Sequence, residues 1–420
     1  MCKNMGLGLG LNLTFNNNRL NMKELQKKLA QYTRPQEAKK AGFYPYYKVI
    51  ESPQDSEIII DGKNHLMFGS NSYLGLTNHP KIKKAAKDAI DACGTGASGS
   101  RLLNGNFAIH EKLDAMLAEF VDKEAALTFS TGFQVNLGVI SCILGRNDYL
   151  IIDDDDHASI IEGSRLTFAK VLKYKHNDME SLEKVLQKTK PGQVKLIVVD
   201  GVFSMEGDLA PLDKIVVLAD KYGASLMVDD AHGLGVMGPG GRGTSMHFGL
   251  NDKVDLIMGT FSKSFASLGG FIAGDFETIN YIKHNARSLL FSASIPPASA
   301  ATVIAALKIM KEEPERIDHL WENTLYAQQK LRENGFDIGN TQSPVIPIKI
   351  GSDMDTFLYF KMLLENGVFI NCVIPPAVKE GSSLLRFSLM ATHTKKQIDS
   401  AIDALIACKV YFEKQPVNQD

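Results

Sequence analysis

Apolar residues recur at helical spacing in KIKKAAKDAIDAC (residues 81–93) and AIHEKLDAMLAEFV (108–121), and each stretch predicts an amphipathic helix. Short apolar runs follow: AALTF (125–129), KLIVVD (195–200), SLMVDD (225–230) and DLIMGT (255–260). They read as buried strands whose last residues project toward a site. PLDKIVVLADKYG (211–223) opens on proline and closes on glycine, the punctuation of a helix between two such strands. This alternation from about residue 81 predicts an α/β fold with a mainly parallel sheet covered by helices on both faces. A helical pattern from 297 to about 313, broken at Pro314, leads into a smaller α+β part. There PVIPIKI (344–350) and LLRFSLM (384–390) read as strands, and DTFLYFKMLLENG (355–367) and TKKQIDSAIDALIAC (394–408) as helices. The expected division is an N-terminal extension over 1–64, a large domain over 65–305 and a small C-terminal domain over 306–420.

Composition changes this picture little. The 420 residues carry 46 Lys plus Arg against 48 Asp plus Glu, a formal charge of -2 that argues against a nucleic-acid groove or an anionic membrane surface. No apolar run approaches the roughly 18 residues of a spanning helix, while peripheral membrane contact stays open. Five dispersed cysteines without a CxxC pair favour a reducing cytoplasm. The first residues, MCKNMGLGLGLNLTFNNNRL, make a poor signal peptide, and Met22, followed by KELQKKLAQYTR, is a better expected start than Met1.

GLGVMG fits the GxGxxG dinucleotide pattern through Gly233, Gly235 and Gly238, but Pro239 and the glycines at 240, 241 and 243 would break the helix that pattern needs. The informative residues sit at three strand ends. LMVDDAHG sets Asp229 and His232 just past one strand, and GTFSKSFASLGG delivers Thr260, Ser262 and Lys263 past the next. A lysine amine can form a Schiff base with an aldehyde, and a carboxylate facing a pyridine nitrogen keeps it protonated, so Asp229 with Lys263 points to pyridoxal phosphate. Thr260 and Ser262 can donate to its phosphate, and Gly269 and Gly270 would let the backbone pass close to it. STGFQVNLG runs a strand into a helix start, where backbone N–H groups near Thr131, Gly132 and Phe133 can cradle a phosphate. His157 follows four aspartates in IIDDDDHASII and suits either stacking on a ring or a metal site. Four consecutive carboxylates cannot all face one ion. Each residue alone has a plain structural use, Asp229 as a cap, His232 in a core, Lys263 on a surface.

NSYLGL (71–76), GTGASGSRLLNG (94–105), FSTGF, DHASI, DGVFSMEGDLAPL (200–212), VDDAHGLGVMGPGGRG, GTFSKSFASLGG and LLRFSLMATHT (384–394) together resemble the α-oxoamine synthases, from about residue 43 to the C-terminal helix. These are pyridoxal-phosphate enzymes of fold type I, the aspartate aminotransferase-like architecture. The resemblance implies that Lys263 carries the Schiff base, Asp229 binds the pyridinium nitrogen and His157 stacks on the ring. It implies that His232 and Ser204 approach the ring hydroxyl or the substrate, and that Gly132, Phe133, Thr260 and Ser262 hold the phosphate. Ser292 of FSASIPP would join them from a second subunit, since family members are homodimers with shared sites. Arg386, with Asn71 near it, is the expected partner of the amino-acid carboxylate, a role a planar guanidinium suits. The implied reaction removes the α-proton of an amino acid, joins the carbanion to an acyl-CoA and releases carbon dioxide, with Lys263 as base and His232 polarising the thioester.

Within the family, AGFYPYYKVIESPQDSEIIIDGKNHLMFGSNSYLGLTNHP and GSRLLNGN are most similar to the bacterial serine palmitoyltransferases, which implies L-serine and a long-chain acyl-CoA as substrates. Sister enzymes take alanine with pimeloyl-CoA or glycine with acetyl-CoA. One departure stands out: Ile374 precedes Pro375 and Pro376 where several members carry a second carboxylate-binding arginine. Its loss weakens the pimeloyl reading, and Val373 and Ile374 would suit an apolar acyl path, at about 0.8 kcal/mol per buried CH₂. A catalytically silent subunit of this fold would be expected to lack Lys263.

Overall fold

The computed structural model describes residues 23–414; Cys2 and the choice between Met1 and Met22 as the start lie outside them. The chain falls into two units, one ending at Tyr46 and one beginning at Tyr47. The first holds two short helices, Glu24–Leu29 and Arg34–Lys40, neither with a buried residue.

A seven-stranded sheet dominates the second unit. Its strands run in the order Ala125–Phe129, Gly270–Gly274, Leu256–Thr260, Ser225–Asp229, Lys195–Asp200, Tyr149–Asp153 and Lys170–Tyr174. Gly270–Gly274 is antiparallel to both neighbours and the remaining pairs are parallel. The apolar runs alternate between two cores: Ile197 and Val199 face one, Leu196 and Val198 the other, which is why these strands are apolar throughout. Helix Leu212–Tyr222 starts after Pro211 and ends at Gly223, whose φ of 62° is the left-handed conformation that favours glycine. Helix Pro297–Glu312 stops before Pro314, and Glu315–Glu333 resumes after it.

Two small sheets complete the unit. Val345–Gly351, Ser383–Ser388 and Asn371–Val373 form an antiparallel sheet with Ser383–Ser388 at its centre. The hairpin Glu57–Ile60 and Lys63–Met67 takes Val368–Phe369 as a parallel third strand, so Leu66 and Met67 pair with a segment about 300 residues further along. GLGVMG runs through turns into the 3₁₀ turn Pro239–Gly241 and opens no helix. No described helix is long and apolar enough to cross a membrane.

Candidate active site

The carboxyl ends of the parallel strands Ser225–Asp229 and Leu256–Thr260, together with the start of helix Gly132–Ile143, enclose a cavity of about 250 Å³. Ligands of open α/β sheets bind at this edge. Its wall brings together Gly132, Phe133, His157, Asp229, His232 and Lys263, with Thr260 and Ser262 beside the helix start.

Asp229 is buried, and each carboxylate oxygen has a donor: Asn136 Nδ2 at 2.6 Å on Oδ2 and the Ala231 amide at 3.1 Å on Oδ1. Asn136 also donates to Ser159 Oγ at 2.8 Å, and Ser159 Oγ lies 2.7 Å from His157 Nδ1. His157 caps helix Ala158–Leu166, and its amide donates to Asp200 Oδ2 at 2.9 Å. These bonds hold the imidazole at the cavity wall while its ring stays exposed. Burial, with the neighbouring Asp229 and Asp156 carboxylates, drives the pKa of Asp200 up.

Lys263 is half-buried on the turn after Leu256–Thr260. Removal of its amine from water, and the Arg386 guanidinium, push its pKa down to about 8 against the pull of Asp229 and Asp200. His232 is buried with Nδ1 2.7 Å from the Tyr73 hydroxyl, and burial first, then the charges of Lys263 and Arg386, hold its pKa well below the usual imidazole value.

The end of the cavity beside the helix start is built by close backbone approach. Thr131 caps helix Gly132–Ile143 by accepting from the Gln134 amide at 3.1 Å, leaving the first amides of the helix toward the cavity. A Cβ on Gly270 would meet Gly132 Cα at 2.6 Å, so this glycine serves helix-to-strand packing, while Gly269 lines the cavity. Thr260 Oγ1 and Ser262 Oγ lie 3.1 Å apart beside it.

Four expected residues lie outside this wall: Ser204, Ser292, Arg386 and Asn71. Ser204 lines a neighbouring cavity of about 540 Å³ that shares His157. Ser292 Oγ accepts from Gln134 Nε2 at 3.0 Å. Arg386 is buried, which sets aside a surface arginine. Its Nε donates to the Ser204 carbonyl at 2.6 Å, Nη1 to Asn71 Oδ1 at 2.9 Å and Ser388 Oγ at 2.8 Å, and Nη2 to the Tyr73 hydroxyl at 3.3 Å. Of the five guanidinium N–H groups this uses four and leaves one on Nη2. Val373 is buried and Ile374 packs on the main core, and neither lines the two cavities. Tyr73 and Asn136 escaped the sequence reading, a hydroxyl inside NSYLGL and an asparagine in an apolar helix being the signals available, while Asp200 lies where the end of KLIVVD was expected to project toward a site.

This donor set fits pyridoxal 5′-phosphate: an amine of lowered pKa for the aldehyde, a doubly held carboxylate for the ring nitrogen, an imidazole wall, and helix amides with two hydroxyls for the phosphate. Comparison with known proteins agrees. The pattern of the family described as aminotransferase class I and II matches residues 63–405. The chain is 57% identical to a serine palmitoyltransferase of Sphingobacterium spiritivorum over 383 residues, 91% of this chain and 96% of that one. It is 45% identical to an 8-amino-7-oxononanoate synthase of Alkaliphilus metalliredigens over 369 residues, 88% of this chain and 93% of that one. Its fold is similar to a serine palmitoyltransferase variant from S. paucimobilis with a bound PLP–myriocin aldimine, with a TM-score of 0.90 and 33% identity, covering 93% of this chain and all of that one.

Proposed function

Because the chain belongs to the aminotransferase class I and II family, a family of pyridoxal-phosphate enzymes, we propose that it condenses L-serine with a long-chain acyl-CoA such as palmitoyl-CoA. The products are 3-ketodihydrosphingosine, CoA and carbon dioxide, the first step of sphingolipid synthesis. The observation that carries this reading is the meeting of Lys263, Asp229, His157 and His232 in one cavity of a chain 57% identical to a serine palmitoyltransferase.

Pyridoxal 5′-phosphate, when bound, supplies an aldehyde for the amino group of serine and a protonated ring that draws electron density from its α-carbon. Asp229, held by Asn136 and the Ala231 amide, keeps the ring nitrogen protonated. His157, at the cavity wall, would stack on the ring. The amides of Gly132 and Phe133, the hydroxyls of Thr260 and Ser262, and Ser292 of a second subunit hold the phosphate. Ser204, in the neighbouring cavity that shares His157, would approach the ring hydroxyl or the substrate. Arg386, through its remaining N–H, and Asn71 hold the serine carboxylate. Lys263 takes the α-proton onto its amine, which a pKa near 8 leaves partly neutral at physiological pH. His232 donates a hydrogen bond to the thioester carbonyl. The serine α-carbon would then bond to the acyl carbon as the C–S bond breaks and CoA leaves as its thiolate, and when the serine carboxyl departs as carbon dioxide the Lys263 ammonium would return its proton to the α-carbon.

A homodimer with shared sites, a cytoplasmic location, and peripheral membrane contact suited to a long alkyl product belong to the same proposal. So does the division into an extension to residue 64, a large domain over 65–305 and a small one over 306–420. The cofactor-loaded enzyme is to be offered serine with palmitoyl-CoA, alanine with pimeloyl-CoA and glycine with acetyl-CoA, reading CoA release and product mass. Selective turnover of serine with the long-chain thioester is expected; selectivity for either other pair would move the assignment to a sister enzyme.

A further inference from the structure

Tyr73 is fully buried, and its hydroxyl meets three polar atoms: His232 Nδ1 at 2.7 Å, Arg386 Nη2 at 3.3 Å and Asn71 Oδ1 at 3.4 Å. A guanidinium can only donate, so the Tyr73 oxygen accepts from Arg386. Its single O–H proton then has two acceptors to choose between. Asn71 Oδ1 lies at the limit of hydrogen bonding and already accepts from Arg386 Nη1 at 2.9 Å, whereas 2.7 Å to Nδ1 is the length of a strong bond from a hydroxyl. A phenol is also the far stronger acid, and an imidazole nitrogen the stronger base. We propose that Tyr73 is a positioning residue: it donates its O–H to His232 Nδ1 and so fixes the tautomer in which Nε2 carries the proton and offers an N–H donor to the cavity.

Two environmental effects act in the same direction. Burial raises the pKa of Tyr73, keeping the phenol protonated, and burial with the positive charges of Lys263 and Arg386 keeps His232 neutral, so the ring has one proton to assign. With Nδ1 occupied as an acceptor, Nε2 can hydrogen-bond to a carbonyl oxygen but cannot collect a proton there. That separates the work of the site: Lys263 moves the α-proton, and His232 only donates. Arg386 joins the two ends, because the guanidinium proposed for the serine carboxylate also occupies the phenol oxygen and directs its proton to His232. The donor role rests on the function proposed above; the tautomer does not.

The test has two arms. In cofactor-loaded protein labelled with [¹⁵N]histidine, the His232 resonances are identified by their loss in His232→Gln. Nδ1 is expected at the shift of an unprotonated acceptor and Nε2 at that of a protonated nitrogen between about pH 6 and 8, with Tyr73→Phe producing a mixture of tautomers. A protonated Nδ1 in the wild type overturns the tautomer. In kinetics, Tyr73→Phe should lower kcat for CoA release by roughly ten- to a hundredfold while KM for serine moves less than about threefold. The Tyr73→Phe/His232→Gln double variant should be no slower than His232→Gln alone, and additive losses would overturn action through His232. If the wild type condenses none of the three amino acids, the functional reading fails while the resonance arm still decides the tautomer.

Discussion

A methyl group at position 132 has nowhere to go: an alanine Cβ there would sit 2.7 Å from Thr260 Oγ1 and 2.8 Å from Thr260 Cβ. The helix start and the strand end must separate to admit it, and with them the amides and hydroxyls proposed for the phosphate. Gly132→Ala is expected to leave the chain folded but weaken pyridoxal phosphate binding about tenfold or more, read by equilibrium dialysis. Undiminished affinity would remove residues 132 and 133 from the proposed cradle. At this scale the sequence is legible where the residue type itself is reactive. Lys263 and Asp229 announce themselves by chemistry and spacing, and His232 through the resemblance of VDDAHG to the family motif. Tyr73 and Asn136 do not, because their importance lies in what they hydrogen-bond, His232 across 159 positions of chain and Asp229 across 93.

Elements were legible in proportion to the regularity of their apolar pattern. Helix Ala108–Val121 and strands Ala125–Phe129 and Lys195–Asp200 fall where periodicity sets them. Gly270–Gly274 was missed as a strand because only Phe271, Ile272 and Ala273 carry its apolar signal, and its glycines invite a reading as a cofactor loop. Lys170–Tyr174 is an edge strand with mostly exposed residues, so no buried run marks it. How elements are tied together was not legible at all, and Arg101 is the clearest case. From the glycine-rich loop it donates to Asp114 Oδ2 at 2.6 Å and Glu111 Oε1 at 2.9 Å on helix Ala108–Val121, and Asp114 Oδ1 accepts the Thr128 amide at 2.9 Å. Burial raises the Asp114 pKa and Arg101 opposes it. Arg101→Met strands a buried carboxylate and should cost about 3 kcal/mol, seen as a lower unfolding temperature. The loss should shrink toward acid pH, where Asp114 takes a proton, and an unchanged melt at neutral pH would sink the argument.

At the largest scale, two segments of the second unit that are distant in sequence, at residues 67–68 and 387–393, are clasped through one neutral histidine. His393 stacks on Phe68 at 4.2 Å, and Phe68 stacks on Phe387 at 4.4 Å. Its Nδ1 accepts from the Met390 amide at 3.0 Å, so Nε2 carries the proton and donates to the Met67 carbonyl at 3.0 Å. A second ring proton would face the Met390 N–H, and burial pushes the pKa down to about 4 from an ordinary 6.5. The folded value is the lower one, so this stability is complete above about pH 6.5 and drains away as pH falls toward 4, where the unfolded chain binds the proton more readily. The slope is about 1.4 kcal/mol per pH unit. His176 has the opposite sign: burial works against its charge, but Asp153 and Asp208, each 3.0 Å away, raise its pKa to about 10. Its contribution is full below pH 6.5 and is lost as pH rises toward 10. The two together predict greatest resistance to denaturant near neutrality. His393→Gln should lower the unfolding midpoint at pH 7 and flatten its fall between pH 7 and 5. A variant whose midpoint falls with acid as steeply as the wild type would show that the acid sensitivity of this fold resides elsewhere than in the clasp between Met67 and Met390.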